Sequence, residues 1–167
     1  MKQRKPLIVE IMQELNPTSV LDLGCGKCRF SNKFIEKGIS VVGVDKENLM
    51  ESKDNFKFVN KDVLDFNFEP KYDLIIGTGI LHFLKKQDAK KIINRIKENT
   101  LSSGLNLLIC MSNEENPNNK INFYPDKEVL NKLYSDWKII HNTSTLSRKH
   151  GEDMHQHRII IFLAKKI

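Results

Sequence analysis

Three carboxylates stand near the ends of short apolar segments, where parallel sheets bind ligands. Asp22 lies two residues before Gly24. Asp45 ends the next apolar segment, roughly 20 residues after that glycine, and Asp62 follows a third segment. A carboxylate at the end of a strand can accept hydrogen bonds from ribose hydroxyls or attract a cation. The spacing from Gly24 to Asp45 also suits an NAD site, so it does not by itself select the ligand.

The carboxylate Asp22 belongs to a stretch, residues 20–31, that passes from a strand pattern through Gly24-x-Gly26 to a helix pattern. The glycines let the backbone turn and approach a ligand closely, and the helix then directs free N–H groups at that ligand. This arrangement predicts the first half of a nucleotide-binding βαβ unit. Asp22 would repel a pyrophosphate but attract a ligand that carries an amine and a sulfonium.

The run Asp-Leu-Gly-Cys-Gly at 22–26 resembles the first motif of class I S-adenosyl-L-methionine (SAM) dependent methyltransferases. The resemblance implies SAM as cofactor and S-adenosylhomocysteine as product, with Asp45 on the ribose and Asp62 and Val63 on the adenine. The cofactor residues that we expect are Asp22, Gly24, Cys25, Gly26, Asp45, Lys46, Asp62, Val63 and Thr78.

The motif departs from that family at Cys28, where a third glycine is common. We expect the larger side chain to narrow the turn and to weaken cofactor binding. Cys25 and Cys28 also have the Cys-x-x-Cys spacing of redox pairs. Because the pair lies inside the glycine turn, we favour a nucleotide turn over a redox site.

From residue 80 onward the sequence resembles the tellurite-resistance methyltransferase family. The segments that carry this resemblance are 81–84, Ile92-Ile93, 100–109, 123–137 and Arg158 with the apolar residues after it. Members of that family are small enzymes that methylate tellurite, selenite and related acceptors. The resemblance therefore implies a small-molecule acceptor, and a noncatalytic SAM-binding module or an RNA methyltransferase is the alternative.

A polar segment, residues 148–158, contains the side chains that suit an anionic acceptor. By the resemblance, Arg148 and Arg158 face the acceptor, and two guanidinium groups would give an oxyanion charge-assisted hydrogen bonds. His82 and His157 are the candidate general bases for a protonated acceptor such as a thiol. An exposed hairpin loop at 148–158 and a packing role for His82 are the alternatives.

His155 and His157 share one face if they lie on a strand, and with His150 they could ligate a metal. No cysteine or acidic ligand is obviously placed beside them. We therefore expect no bound metal.

Periodicity predicts an α/β fold. The predicted strands are 19–23, 39–44, 56–59, 72–76, 105–110, 137–142 and 157–164, and the predicted helices are 7–15, 29–37, 87–99 and 127–134. Strands alternate with helices until the last two, which read as a hairpin. We predict one doubly wound domain over 1–167 with a Rossmann-like, seven-stranded, mostly parallel sheet and one antiparallel strand. The resemblance implies the order 3-2-1-4-5-7-6.

The 167 residues carry a formal charge of +6 that is spread along the chain, and 40% of them are hydrophobic. We find neither a signal peptide pattern nor a membrane-spanning segment. The expected location is cytoplasmic, with a small-molecule acceptor as partner and no nucleic acid or membrane partner. Asp22 argues against the further alternative, an NAD-dependent oxidoreductase.

Overall fold

The computed structural model describes residues 7–149, 152 and 154–167. Its strands are β1 (Ser19–Leu23), β2 (Ser40–Asp45), β3 (Phe56–Asn60), β4 (Tyr72–Thr78), β5 (Thr100–Met111), β6 (Lys138–Leu146) and β7 (Arg158–Lys165). Its α-helices are α1 (Leu7–Glu14), α2 (Asn32–Glu36), α3 (Lys86–Glu98) and α4 (Lys127–Leu133), and two 3-10 turns lie at Leu81–Phe83 and Asn113–Glu115. None of the helices in this part of the chain is long and apolar enough to cross a membrane.

The strands form one sheet in the order β3-β2-β1-β4-β5-β7-β6. Strands β1 to β5 are parallel, and β7 runs antiparallel to both of its neighbours, β5 and β6. The predicted fold class, strand order and antiparallel strand are therefore confirmed. Because the parallel strands point the same way, their carboxyl ends meet at one edge of the sheet, which is where open α/β sheets bind ligands.

The sheet is covered on both faces, which explains the apolar runs of its central strands. Leu21, Leu23 and Ile75 point into one core cluster with α3 and α4. Val20 and Leu74 point into a second cluster with α1 and α2. Parallel strands buried on two faces are apolar on nearly every residue, as β1 and β4 are.

Three elements, α2, β5 and β6, differ most in length from their predicted bounds. The helix predicted at 29–37 is the shorter α2, because residues 26–31 form a turn in which Cys28 is left-handed (φ 56°). β5 begins at Thr100 instead of 105, since Tyr72 on β4 already pairs there. β6 continues to Leu146 because β7 offers a partner as far as Arg158.

A buried chain of hydrogen bonds ties α4 to α3 through β5. The Tyr134 hydroxyl donates to Asn106 Oδ1 (3.1 Å), and Asn106 Nδ2 donates to Thr100 Oγ1 (2.7 Å). Thr100 Oγ1 in turn donates to the Ile96 carbonyl (2.7 Å). Each polar group therefore has a partner, as burial requires.

We predict that Tyr134→Phe destabilises the protein by about 1–3 kcal/mol, because it leaves the buried Asn106 Oδ1 without its donor. Urea unfolding measures the change. Ser135→Ala, which removes a hydroxyl from the neighbouring exposed position, is the control and should change the free energy of unfolding by less than about 0.5 kcal/mol. Equal effects of the two substitutions would contradict a structural role for the chain of hydrogen bonds.

Candidate functional site

Two cavities open at the carboxyl edge of the sheet. The acidic cavity, of about 580 Å³, lies at the ends of β1, β2 and β3 and is lined by Gly24, Gly26, Asp45, Lys46, Asp62, Val63 and Asp88 among others. The basic cavity, of about 700 Å³, lies between α1, α2 and the ends of β4, β5 and β7. Gly79 lines both cavities, so ligands in the two would meet beside it.

The glycine turn forms one wall of the acidic cavity. The N–H groups of Gly24 and Cys25 both donate to the Val44 carbonyl, at 2.8 and 3.1 Å. Gly24 has φ +65°, and a Cβ built there would come within 2.5 Å of Ile80 Cδ1. The position therefore requires glycine for two reasons, the left-handed backbone and the close approach of Ile80.

Asp45 and Asp62 extend the same cavity as the sequence predicts. The Asp45 carboxylate accepts hydrogen bonds from the N–H groups of Gly26 (2.8 Å) and Glu47 (3.0 Å), which fix its orientation at the end of β2. Asp62 Oδ1 accepts from the Leu64 N–H at 2.9 Å. Carboxylate oxygens keep a second lone pair after one such bond, so both groups can still accept from a ligand.

Asp22 is almost fully buried under the turn, with 1% of its surface exposed, and lines neither cavity. Its Oδ2 accepts from Ser31 Oγ at 2.7 Å, while Oδ1 has no hydrogen-bond partner in the described part of the chain. Burial raises the pKa of Asp22 to about 7, the Ser31 bond lowers it in part, and the charge of Asp45 raises it further. A cationic ligand group beside Oδ1 would stabilise the ionised form of Asp22.

The basic cavity brings together four of the predicted residues, which are Thr78, His82, Arg148 and His157. Burial lowers the pKa of His82, and the nearby His157 lowers it further. Within the described residues, His82 Nδ1 is buried and has no hydrogen-bond partner. The His82 imidazole is therefore held as a neutral base beside the cavity.

Glu115 contacts and orients His157, and the sequence did not predict this contact. Glu115 Oε2 lies 2.9 Å from His157 Nδ1, and Glu115 Oε1 accepts from the backbone N–H of Arg158. These two bonds hold the pKa of Glu115 below its usual value, the backbone bond contributing most. The pair is 42 residues apart, and the 3-10 turn at 113–115 carried no sequence signal.

Besides Asp22, two predicted residues lie outside both cavities. Arg158 Nε is 3.6 Å from Glu114 Oε2, at the start of β7. Cys25 is buried in the turn and packs with Cys28 against Gly43. The fully buried side chain of Cys28 points at Gly43 of the sheet and lines neither cavity, so it does not narrow the space for the cofactor. Its effect on cofactor binding stays a prediction.

Sequence reasoning also missed the wall that α1 and α2 contribute to the basic cavity. Arg29 and Lys33 line it, together with Ile8 and Met12 of α1. In the helix predicted at 29–37 the two cations, four residues apart, would share one face, and this spacing was the available signal. In the structure Arg29 lies in the turn before α2, and Lys33 lies on α2. Nothing local in α1 shows which end of the sheet it covers.

The histidines considered as metal ligands are only partly described. The rings of His155 and His157 lie 4.8 Å apart, and His150 falls outside the described residues. Across those residues no group of three His, Cys, Asp or Glu side chains is arranged to hold a metal ion.

We predict that Asp22 makes the unliganded protein less stable as the pH rises from about 4 to about 7. Because its pKa is raised from 3.8 to about 7, the folded state holds a proton in this range that the unfolded state has lost. Unfolding therefore releases that proton and becomes more favourable as the pH rises. Urea unfolding across pH 4–8 should show wild type losing stability relative to Asp22→Asn, with a constant difference above that range.

Ser31→Ala provides the matched control for this titration. It removes the bond that favours the ionised carboxyl, so the decline should extend to higher pH. Parallel stability curves for wild type and Asp22→Asn would refute the assignment.

Known proteins resemble the chain over most of its length. A curated relative, the probable SAM-dependent methyltransferase TehB of Haemophilus influenzae (strain ATCC 51907 / DSM 11121 / KW20 / Rd), is 29% identical over 163 residues, which cover 91% of this chain and 57% of the relative. The crystal structure of TehB from Haemophilus influenzae matches with a TM-score of 0.82 and 25% identity, over 96% of this chain and 61% of that one. This chain therefore spans just over half the length of these relatives.

The fold extends to more distant proteins. The N-methyltransferase NodS from Bradyrhizobium japonicum WM9, solved in complex with S-adenosyl-L-homocysteine, matches with a TM-score of 0.74 over 95% of this chain and 83% of that one. At 12% identity this likeness shows the fold alone. The family model described as tellurite resistance protein TehB matches residues 2–166. Since this match covers nearly the whole sequence, the predicted resemblance is confirmed and the chain belongs to the TehB family.

Proposed function

We propose that this chain binds SAM and transfers its methyl group to a small acceptor, either an oxyanion such as tellurite or selenite, or a thiol. The observation that carries the proposal is the meeting of an acidic and a basic cavity at Gly79. A cationic cofactor suits the first and an anionic acceptor suits the second. The name of a TehB relative, a probable SAM-dependent methyltransferase, supports the methyl transfer from SAM.

The residues of the acidic cavity, together with Asp22 buried beneath its glycine turn, fit SAM. The buried Asp22 Oδ1, which lacks a partner among the described residues, suits the amino group of the methionine part. The Asp45 carboxylate, held by two backbone N–H groups, suits the ribose hydroxyls. The absent Cβ at Gly24 lets Ile80 pack closely against the glycine turn. Lys46, Asp62 and Val63 would complete the site near the adenine.

When bound, SAM supplies an electrophilic methyl group on a positively charged sulfur. The chain then has to align the acceptor with that group and exclude water. Thr78 ends β4 and His82 lies on the 3-10 turn that follows it, on either side of Gly79, where the two cavities meet. We infer that they line the space in which the acceptor approaches.

The acceptor would be held from the side of the basic cavity that Arg148 and His157 line. Arg148 can give an oxyanion two parallel hydrogen bonds, and such an anion needs no general base. A thiol must lose its proton first, and His82 or the Glu115-oriented His157 would take it. Arg158 forms an ion pair with Glu114. It would therefore position the loop that holds the acceptor and would not contact the acceptor itself.

Two measurements test the proposed function. Calorimetry with SAM, S-adenosylhomocysteine and NAD should show binding of the first two only. Labelled SAM should then give turnover with tellurite, selenite or a small thiol. Binding of SAM without turnover on any acceptor would instead favour a noncatalytic module, and binding of NAD alone would refute the proposal.

We predict that Gly24→Ala lowers SAM affinity at least tenfold, because the new methyl group would push Ile80 into the acidic cavity. Calorimetry measures the affinity. Gly38→Ala is the control, since Gly38 has a similar positive φ of +76° but no atom within 4 Å of its built Cβ. It carries the backbone strain without the collision and should bind SAM normally. Equal losses of SAM affinity in both variants would show that backbone strain, and not the collision with Ile80, causes the effect.

We predict that Arg148→Ala lowers kcat/KM for the best acceptor by about tenfold or more, the size expected for a charge-assisted hydrogen bond, and leaves SAM affinity unchanged. Arg158→Ala should lower it less, because Arg158 lies outside the basic cavity. Lys132→Ala, which removes an exposed charge on α4, is the control. Loss of SAM binding in Arg148→Ala would contradict the proposal that Arg148 contacts the acceptor and not the cofactor.

A further inference from the structure

The backbone of His157 is held from two sides. Its N–H donates to Ser147 Oγ (2.9 Å), and its carbonyl accepts from the Ser147 N–H (2.8 Å). The next residue, Arg158, donates its backbone N–H to Glu115 Oε1, and its carbonyl accepts from the Ser112 N–H at 3.0 Å. These contacts fix the point from which the imidazole leaves the chain to line the basic cavity.

The Glu115 carboxylate decides which nitrogen of the neutral His157 ring carries the proton. Its Oε1 accepts from the Arg158 N–H, and its Oε2 lies 2.9 Å from His157 Nδ1. The Arg158 bond, and then the His157 bond, hold the pKa of Glu115 below its usual value. Because an ionised carboxylate can only accept hydrogen bonds, the proton lies on Nδ1. Nε2 of the neutral ring then carries the lone pair of a base.

A proton taken up by His157 is stabilised by the same carboxylate. The imidazolium would lie at hydrogen-bond distance from the ionised Glu115, which offsets its positive charge. The exposed fractions of the two side chains are 27% for His157 and 26% for Glu115. Water therefore reaches the pair, and the proton can pass to solvent after the reaction.

His82, the other candidate base, is a poorer destination for that proton. Burial lowers its pKa, and the charge of the nearby His157 lowers it further. Among the described residues its buried Nδ1 reaches no hydrogen-bond partner. A cationic His82 would therefore lack the stabilisation that Glu115 gives to His157.

The surroundings of His157 contain no second base that reaches the basic cavity as an imidazole does, apart from His82, within the part of the chain that the structure describes. His155 has its ring 4.8 Å from that of His157 but lines neither cavity. The other titratable or charged groups near the pair or around the cavity are Glu114, Arg158, Arg148, Lys149, Arg29, Lys33 and Cys110.

We propose that Glu115 is a positioning residue that makes His157 the general base for an organic thiol acceptor. The inference rests on the proposed function and narrows its acceptor class, since an anion such as selenite would leave the base without use. The thiol S–H bond breaks as its proton moves to His157 Nε2. The sulfur lone pair forms a bond to the methyl carbon of SAM, while the bond from that carbon to the sulfonium sulfur breaks. The products are a thioether and S-adenosylhomocysteine, and His157 returns the proton to water.

The first experiment compares two aromatic thiols in single-turnover methyl transfer from labelled SAM at neutral pH. Para-nitrothiophenol is already ionised there, whereas phenylmethanethiol keeps its proton. His157→Gln should lower the rate with phenylmethanethiol about 100-fold, the lower end of what a general base contributes, and leave the rate with para-nitrothiophenol unchanged. Glu115→Ala should lower the rate with phenylmethanethiol about tenfold or more, as expected when a hydrogen bond to a charged group is lost.

Glu128→Ala is the matched control for Glu115→Ala. It removes an exposed carboxylate from the first turn of α4 and changes the net charge by the same amount. It should behave as wild type with both thiols. If His157→Gln does not fold, Glu115→Ala carries the comparison of the two thiols.

The second experiment observes the His157 ring without cofactor or turnover. Nitrogen NMR spectra distinguish a neutral imidazole protonated on Nδ1 from one protonated on Nε2. In wild type, at a pH at which the ring is neutral, His157 should carry its proton on Nδ1. Glu115→Ala should move the proton toward Nε2, the tautomer that free histidine prefers, and Glu128→Ala should not. Protonation of the wild-type ring on Nε2 would refute the positioning role of Glu115.

The remaining outcomes separate this inference from the proposed function. If His157→Gln slows both thiols equally, or slows neither, His157 is not the base. If wild type methylates selenite or tellurite and neither thiol, the thiol acceptor is refuted while the proposed function stands. If wild type does not bind SAM, the proposed function fails, and the NMR measurement still decides whether Glu115 positions His157.

Discussion

Two backbone hydrogen bonds to one carbonyl organise the site. The N–H groups of Gly24 and Cys25 both reach the Val44 carbonyl, which ties the turn after β1 to the end of β2. The turn thereby presents the Gly26 N–H to Asp45, and it sets where α2 begins. The wall of the acidic cavity and the placement of Lys33 in the basic cavity both depend on this connection.

The two cavities differ in charge because different elements build them. Carboxylates at strand ends, such as Asp45 and Asp62, face the acidic cavity. Cations from α2 and from the segment before β7, such as Lys33 and Arg148, face the basic one. A cationic cofactor and an anionic acceptor would each be attracted to its own side, and neutralisation of charge during methyl transfer would be favoured where the two meet.

Much of the acidic cavity could be predicted from the sequence. Gly24, Asp45 and Asp62, which line it, are placed by local signals: a glycine turn and two strand ends. The basic cavity was predicted less well. Glu115 reaches His157 only because the 3-10 turn after β5 lies beside the start of β7, and Arg158, expected at the acceptor, is turned instead toward Glu114.

The sequence by itself determined the strands, their order by resemblance, and the residues at their carboxyl ends, because these depend on periodicity and on glycines within a few positions. Only the tertiary structure decided which side chains share a cavity. Cys28 packs on Gly43, and residues of α1 line the same cavity as Lys33 and Arg148. Both facts follow from contacts between residues far apart in the chain. Such contacts are set by the packing of whole helices on the sheet, which no local pattern encodes.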